Sequence, residues 1–268
     1  MERRTIRTET LIEGTGLHSG VSSTLCLRPA SDGIAFIKEG ERIQATPSNV
    51  IDTRLNTTIG RGSVRISTIE HLMAALYGMG ITDCDIEVSG TEIPAMDGSA
   101  SAFVRYIQEA GTASLGLPCV PIEIPGTLHV DGGASWIDAV PGEFSLSYEI
   151  DFPDPAIGRL KYTFDGTGFP EEIAPARTFG RMQDVEMMRS AGLAMGGGLH
   201  NAVVVDGERI LNPGGLRFPD EFVRHKVLDI LGDLWTLHAP LKARIRAYRA
   251  NHALHIRLAR TIFEGLQG

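Results

Sequence analysis

Over residues 220–237 the chain reads DEFVRHKVLDILGDLWTL, and Val223, Val227, Leu228, Leu231 and Leu234 recur every three or four positions. That spacing covers one face of a helix turning every ~3.6 residues, so this segment is predicted as the strongest helix of the sequence. A second helix is predicted over 67–79, STIEHLMAALYGM, where Ile69, Leu72, Met73 and Leu76 keep the same period. Its start, Ser67-Thr68-Ile69-Glu70, has the form of a capping box. SASAFVRYIQEAG (99–111), closed by Gly111, gives a third helix; residues 181–191 give a fourth, and 242–266 turns helical near its end. Elsewhere short β-type runs alternate with turn signals. TLCLRPASDGIAFIK (24–38) reads as strand, turn, strand, and further strands are predicted at 83–90, 121–130, 135–140, 144–152 and 202–211.

Strands come first and helices later, twice over. Between the two runs lies GTASLGLPCVP (111–121), small residues with Gly and Pro and no period, which reads as a linker. The expectation is an α+β chain with two layered units side by side, rather than a βαβ series, and a boundary near 115–120. No internal repeat can be aligned between the two runs.

Composition narrows the function. The 268 residues are 43% apolar and 22% charged, enough for one or two domains with a sizeable core. Lys and Arg total 25 against 33 Asp and Glu, a net charge of −8 that argues against binding duplex nucleic acid. No apolar stretch approaches the ~20 residues of a membrane span. MERRTIRTETLIEG has charge but no apolar segment after it, so no secretory signal is read there. Cys26, Cys84 and Cys119 are odd in number and far apart, which fits neither a disulfide framework nor a four-cysteine zinc site. A reduced, cytoplasmic protein is expected.

Two dipeptide-scale features could carry chemistry. His225 and Asp229 are one turn apart on the strongest helix, with Asp233 a further turn along. In isolation that polar stripe is solvated surface. Glu70 and His71 point about 100° apart on the other helix, so they cannot chelate one ion equally but can divide labour between a metal and its water. In isolation they form a capped first turn. Taken together, two imidazoles and a carboxylate from two helices make a three-ligand site with an open position, the arrangement of a catalytic zinc, with Glu70 as base.

The other histidines sort by context. His252 follows a basic run (Lys242, Arg244, Arg246, Arg249) and is a candidate general acid paired with Asp233. His255 reads as covering a helix face. His18, in TGLHSG, is either a ligand-loop or a turn residue, and His129, His200 and His238 have no partner by spacing. Thr178, in Arg177-Thr178-Phe179-Gly180, either donates to a developing oxyanion or caps a helix. MGGGLHNAVVV (195–205) runs into a strand, the wrong order for a phosphate-cradling loop.

As a set, these motifs resemble the UDP-3-O-acyl-N-acetylglucosamine deacetylases, zinc amidases of the committed step of lipid A synthesis. The matching stretches are TGLHSG (15–20), STIEHLMAALYGMGI (67–81), EIPAMDGSASAFV (92–104), ARTFG (176–180), GLAMGGGLHNAVVV (192–205), LNPGGLRFPDEFVRHKVLDILGDL (211–234) and NHAL (251–254). The resemblance implies that His71, His225 and Asp229 hold zinc, or ferrous iron, and that Glu70 is the general base. It assigns His252 to the oxyanion or the leaving amine, with Asp233 orienting it, and Thr178 to polarising the amide carbonyl. Lys226 and Phe179 match substrate-contacting positions. The implied fold is two two-layer α/β sandwich domains packed face to face, residues 1–117 and 118–268, with the active site between them. A βαβ insert, about 181–211, would form an apolar passage for the acyl chain. The expected substrate is UDP-3-O-acyl-GlcNAc, and the expected state a monomer.

Four positions depart from the family pattern: Asp154, Gly198, His200 and Asn251. None removes a ligand or the base. A non-catalytic relative binding an acylated nucleotide sugar would be expected to have lost one of them, and a deacetylase of a different N-acetylated sugar would keep the mechanism.

Overall fold

In LKARIRAY, the strand Leu241–Tyr248, Leu241, Ala243, Ile245 and Ala247 are buried while Lys242, Arg244 and Arg246 point away from the core. A basic run that looked like the approach to a helix is thus a period-two strand at the centre of a sheet. The computed structural model describes residues 1–266. The sheet around this strand has the order Leu128–Asp131, Trp136–Pro141, Leu241–Tyr248, Ser145–Asp151, Arg159–Phe164, with Ile122–Glu123 beside the start of the central strand. The central strand is antiparallel to Trp136–Pro141 and parallel to Ser145–Asp151.

Earlier in the chain the same plan occurs once already. Thr10–Thr15, Ser22–Arg28, Cys84–Val88, Ile34–Lys38 and Glu41–Gln44 form a sheet in that order. Its central strand is again the last in sequence, antiparallel to one neighbour and parallel to the other. The α-helices in chain order are α1 (Glu70–Gly78), α2 (Ser101–Ala110), α3 (Phe169–Glu172), α4 (Met182–Ser190), α5 (Glu221–Leu234) and α6 (His252–Gly265). Each central strand is preceded and followed by a helix, α1 and α2 in one case and α5 and α6 in the other. α2 lies on the first sheet and α5 and α6 on the second, and the two helical layers meet where α1 packs on α5.

That contact is driven by the apolar faces read from the sequence. Ile69, Leu72, Met73 and Leu76 are fully buried, as are Val223, Val227 and Leu228. Burying a side chain of this size stabilises by ~1.5–3 kcal/mol. The approach is close because residue 232 is glycine: a Cβ there would lie 2.0 Å from the Glu70 carbonyl oxygen. Phe179–Arg181 and Val203–Asp206 pair in parallel with α4 between them, a small βαβ unit edged by Arg209–Ile210.

Several local expectations change. The linker read at 111–121 is largely a strand, Thr112–Pro118, paired antiparallel with Glu2–Ile6. Its small residues carry no periodic signal because the two-strand ribbon buries none of them fully. The capping box does not form. Thr68 takes a left-handed backbone (φ 59°) and its hydroxyl donates to Glu92, while the Glu70 carboxylate accepts from the Thr57 amide. Among the described residues no helix is long and apolar enough to cross a membrane.

Candidate metal and catalytic site

α1 and α5 are amphipathic, and where they meet their polar positions are enclosed rather than solvated. Glu70, His71, His225, Asp229 and Asp233 are all at most 6% exposed. The polar stripe on α5 is therefore not surface. His71 Nε2 lies 3.7 Å and His225 Nε2 3.3 Å from Asp229 Oδ1, and the two rings meet edge to face at 5.0 Å. The His225 Nδ1–H donates to the Ala176 carbonyl at 3.1 Å, which leaves the Nε2 lone pair for the site.

Burial keeps His225 neutral, with its pKa pushed down to about 3. Burial alone would raise Asp229, but the Lys226 ammonium, 2.7 Å from Oδ2, opposes it, and the carboxyl is held well below its usual range. Two imidazoles and an ionised carboxylate within 4.8 Å of one another are a donor set for a divalent cation. The spacing supports this independently. Tetrahedral ligands at ~2.0–2.1 Å stand about 3.4 Å apart, and the observed 3.3 and 3.7 Å lie on either side of that edge.

Asp233, His252 and His255 also cluster within ligand distance, but here the atoms satisfy one another. Asp233 Oδ2 is 2.8 Å from Nδ1 of both His252 and His255, and Oδ1 accepts the Thr57 hydroxyl. The expected His252–Asp233 pair is present. Burial would depress His252, yet the Asp233 charge and hydrogen bond, with Asp229 and Glu70 nearby, carry its pKa to about 9. The reading of His255 as covering a helix face is corrected: it is fully buried, because α6 turns that face toward α5 and the sheet. Glu70 is raised by burial, against the pull of His252 and His71.

A cavity of about 420 Å³ opens from these groups. Glu70, His71, His225, Asp229, His252, Thr178 and Lys226 line one end, and Met182, Val185, Met188, Val204 and Leu211 give the rest an apolar wall. Thr178 does not cap a helix, since α4 begins after Arg181. Its backbone bonds to Gly98 and Val203 fix it at the cavity wall. Phe179 packs edge to face on Phe222, with Lys226 5.8 Å from its ring centre. His18 lines the cavity too; its amide and that of Ser19 donate to Glu92.

Three departures acquire local reasons. Asn251 caps α6, its side chain accepting from the Leu254 amide. A Cβ at Gly198 would lie 2.9 Å from His200 Nδ1, so the small residue accommodates the histidine. Asp154 pairs with Arg181 at the head of α4. Thr57, Tyr148 and His255 join the site network without having been read from the sequence as site residues. Only His255 had a usable signal, its i, i+3 spacing from His252.

The family model described as UDP-3-O-acyl N-acetylglycosamine deacetylase matches residues 3–264. Curated relatives bearing the name UDP-3-O-acyl-N-acetylglucosamine deacetylase include one from Acidithiobacillus ferrooxidans, 44% identical over 98% of this chain and 90% of its own. One from Myxococcus xanthus is 44% identical over 97% and 86% of the two chains. One from Vibrio parahaemolyticus is 43% identical over 98% and 90%.

Proposed function

The chain belongs to the UDP-3-O-acyl N-acetylglycosamine deacetylase family, and from that premise we propose that it hydrolyses the acetamide of UDP-3-O-acyl-N-acetylglucosamine. Acetate and the free amine are the products, in the committed step of lipid A synthesis. The observation that carries this reading is the convergence of His71, His225 and Asp229 beside Glu70 in the lining of a largely apolar cavity.

His71, His225 and Asp229 would hold a zinc ion; ferrous iron suits the same donors. Bound there, the ion supplies Lewis acidity, polarising the amide oxygen and acidifying water. Glu70 takes the proton of the attacking water as the C–O bond forms, and burial suits its carboxylate to that task by raising its pKa. The Thr178 hydroxyl donates to the carbonyl oxygen as negative charge develops there. His252, kept protonated by Asp233, passes its proton to the amine nitrogen as the C–N bond breaks. Lys226 and Phe179 flank the reacting end and contact the sugar nucleotide, and the cavity walled by Met182, Val185 and Met188 takes the acyl chain.

The division into domains at residues 117 and 118 belongs to the same reading, as do a cytoplasmic location and a monomeric state. The direct test is metal analysis of the purified protein combined with acetate release from UDP-3-O-acyl-GlcNAc. One equivalent of zinc or iron and release that stops on chelation and returns on remetallation are expected. Release that survives complete metal removal would refute the mechanism.

A further inference from the structure

Asp233 accepts more donors than the orientation of one histidine needs. Its carboxylate takes the Thr57 hydroxyl on one oxygen and the Nδ1 atoms of His252 and His255 on the other. His255 is fully buried and is not part of the cavity wall, so it does not reach substrate. Its other ring nitrogen, Nε2, lies 3.0 Å from the Tyr148 hydroxyl, which is 2.8 Å from the Ala250 carbonyl. Ala250 precedes α6 by two residues, so these contacts run in a closed circuit from the head of α6 through the sheet and α5 and back to His252.

Proton accounting fixes how the circuit is wired. An ionised carboxylate only accepts, so the Nδ1 atom of His255 carries a hydrogen. Burial, the largest influence on this ring, favours its neutral form. The single hydrogen of the Tyr148 hydroxyl goes to the Ala250 carbonyl, and the hydroxyl oxygen packs against Nε2 at 3.0 Å. An aspartate turns about a broad, roughly two-fold terminal torsion, so one bond to His252 leaves the carboxylate free to swivel. Bonds from three directions do not.

We propose that His255 is a positioning residue that pins the Asp233 carboxylate and thereby aims His252 at the reacting amide. The proposal rests on the reading of His252 as proton donor.

The test uses the full-length metal-loaded enzyme with four variants: His255→Asn, His255→Gln, Tyr148→Phe and, as reference, His252→Ala. An asparagine amide nitrogen stands close to where Nδ1 was and still donates to Asp233. A glutamine amide reaches the Nε2 position, toward Tyr148, and leaves Asp233 short of a donor. His255→Asn is expected to keep kcat near the wild-type value. His255→Gln should lose up to ~10²-fold in kcat, the scale of an ångström-size misplacement, with KM and bound metal unchanged. Tyr148→Phe should show a smaller kcat loss, since the donor to Asp233 survives while Ala250, at the head of α6, loses its hydrogen bond and the His255 ring its hydroxyl neighbour. Equal losses in the two His255 variants, or losses in KM instead of kcat, would make His255 a packing residue and overturn the proposal. Full activity in His255→Gln beside a collapsed His252→Ala would overturn it as well. An unimpaired His252→Ala would remove the donor reading itself, and this proposal with it.

Discussion

Asp229 and Asp233 stand one turn apart on α5, equally buried and on one face of the helix, yet their company differs. The nitrogen atoms facing Asp229 Oδ1 stop at 3.3 and 3.7 Å, and its other oxygen is held by Lys226. The nitrogens facing Asp233 close to 2.8 Å. A carboxylate whose neighbours stand off at a tetrahedral edge has room for a cation. One already taken up by short hydrogen bonds has none, and serves to hold and charge an imidazole. The i, i+4 spacing places both residues on one face but cannot separate these roles. His225 and Lys226 are local to α5, but the rest of what separates them comes from His71 on α1, from His252 and His255 on α6 and from Thr57, beyond the reach of helix spacing.

The sharpest way to break this comparison is to delete each carboxylate in turn. Asp229→Ala should lose bound metal and activity together, as should His225→Ala and His71→Ala, since each removes one of three protein ligands. Asp233→Ala should keep its metal and lose kcat. Metal content by elemental analysis, read beside turnover, decides it: if Asp233→Ala lost metal as readily as Asp229→Ala, the distinction between the two would collapse. Glu70→Gln ranks next. The amide preserves size and still accepts from the Thr57 amide, so metal stays while kcat falls by about 10²–10⁴-fold, the usual worth of a general base. Metal loss in that variant would turn Glu70 into a ligand.

Asp233 also sets a pH dependence. On the proposed mechanism activity needs Glu70 deprotonated, so it should fall as pH drops through a Glu70 pKa that burial has raised. It needs His252 protonated, so it falls again as pH rises through the His252 pKa, carried to about 9 chiefly by Asp233 against the effect of burial. A bound dication repels the imidazolium, which places the basic limb at or below that value. The profile of kcat/KM should therefore be a bell whose two limbs belong to a coupled set. Asp233→Asn removes the charge that favours imidazolium, and its basic limb should move to lower pH. An unmoved limb would show that some other group supplies the proton.

The residues of the candidate site were legible in the sequence and their supports were not, for a physical reason. His71, His225 and Asp229 sit on strongly periodic helices, and Glu70, Asp233 and His252 lie within a turn or two of them or at a helix start, so motif and period reach them all. Thr57 and Tyr148 act through single hydroxyls delivered by tertiary packing, and nothing in LNTT or LSYEI marks them. The sequence showed strands before helices in both halves, but the one-for-one likeness of the two sheets was hidden. Their strand orders correspond one for one, but the central strands CDIEV and LKARIRAY share topology rather than residues. Register and partner, not composition, make them equivalent.

The smallest expected effect tests what keeps the two carboxylates' surroundings in register at all. Gly232 lies between Asp229 and Asp233, at the point where the backbones of α1 and α5 come closest. A Cβ there would sit 2.0 Å from the Glu70 carbonyl oxygen and 3.1 Å from the Ala74 amide nitrogen, both backbone atoms that cannot rotate aside. Gly232→Ala must therefore push the helices apart. Overpacking of this kind costs roughly 1–3 kcal/mol, against which alanine regains about 1 kcal/mol of helix propensity. The net loss should lower Tm by a few degrees, at roughly 2–4 °C per kcal/mol for a chain of this length. Because α1 carries His71 and α5 carries His225 and Asp229, the same displacement should weaken metal binding in proportion, while the Asp233–His252 pair, held between α5 and α6, stays intact. A lowered Tm and weaker metal affinity with an unchanged basic limb would show that the approach at Gly232 spaces the ligand cage and leaves the proton donor alone. Unchanged metal affinity would mean that the cage is held by its own side chains, and that the glycine serves packing only.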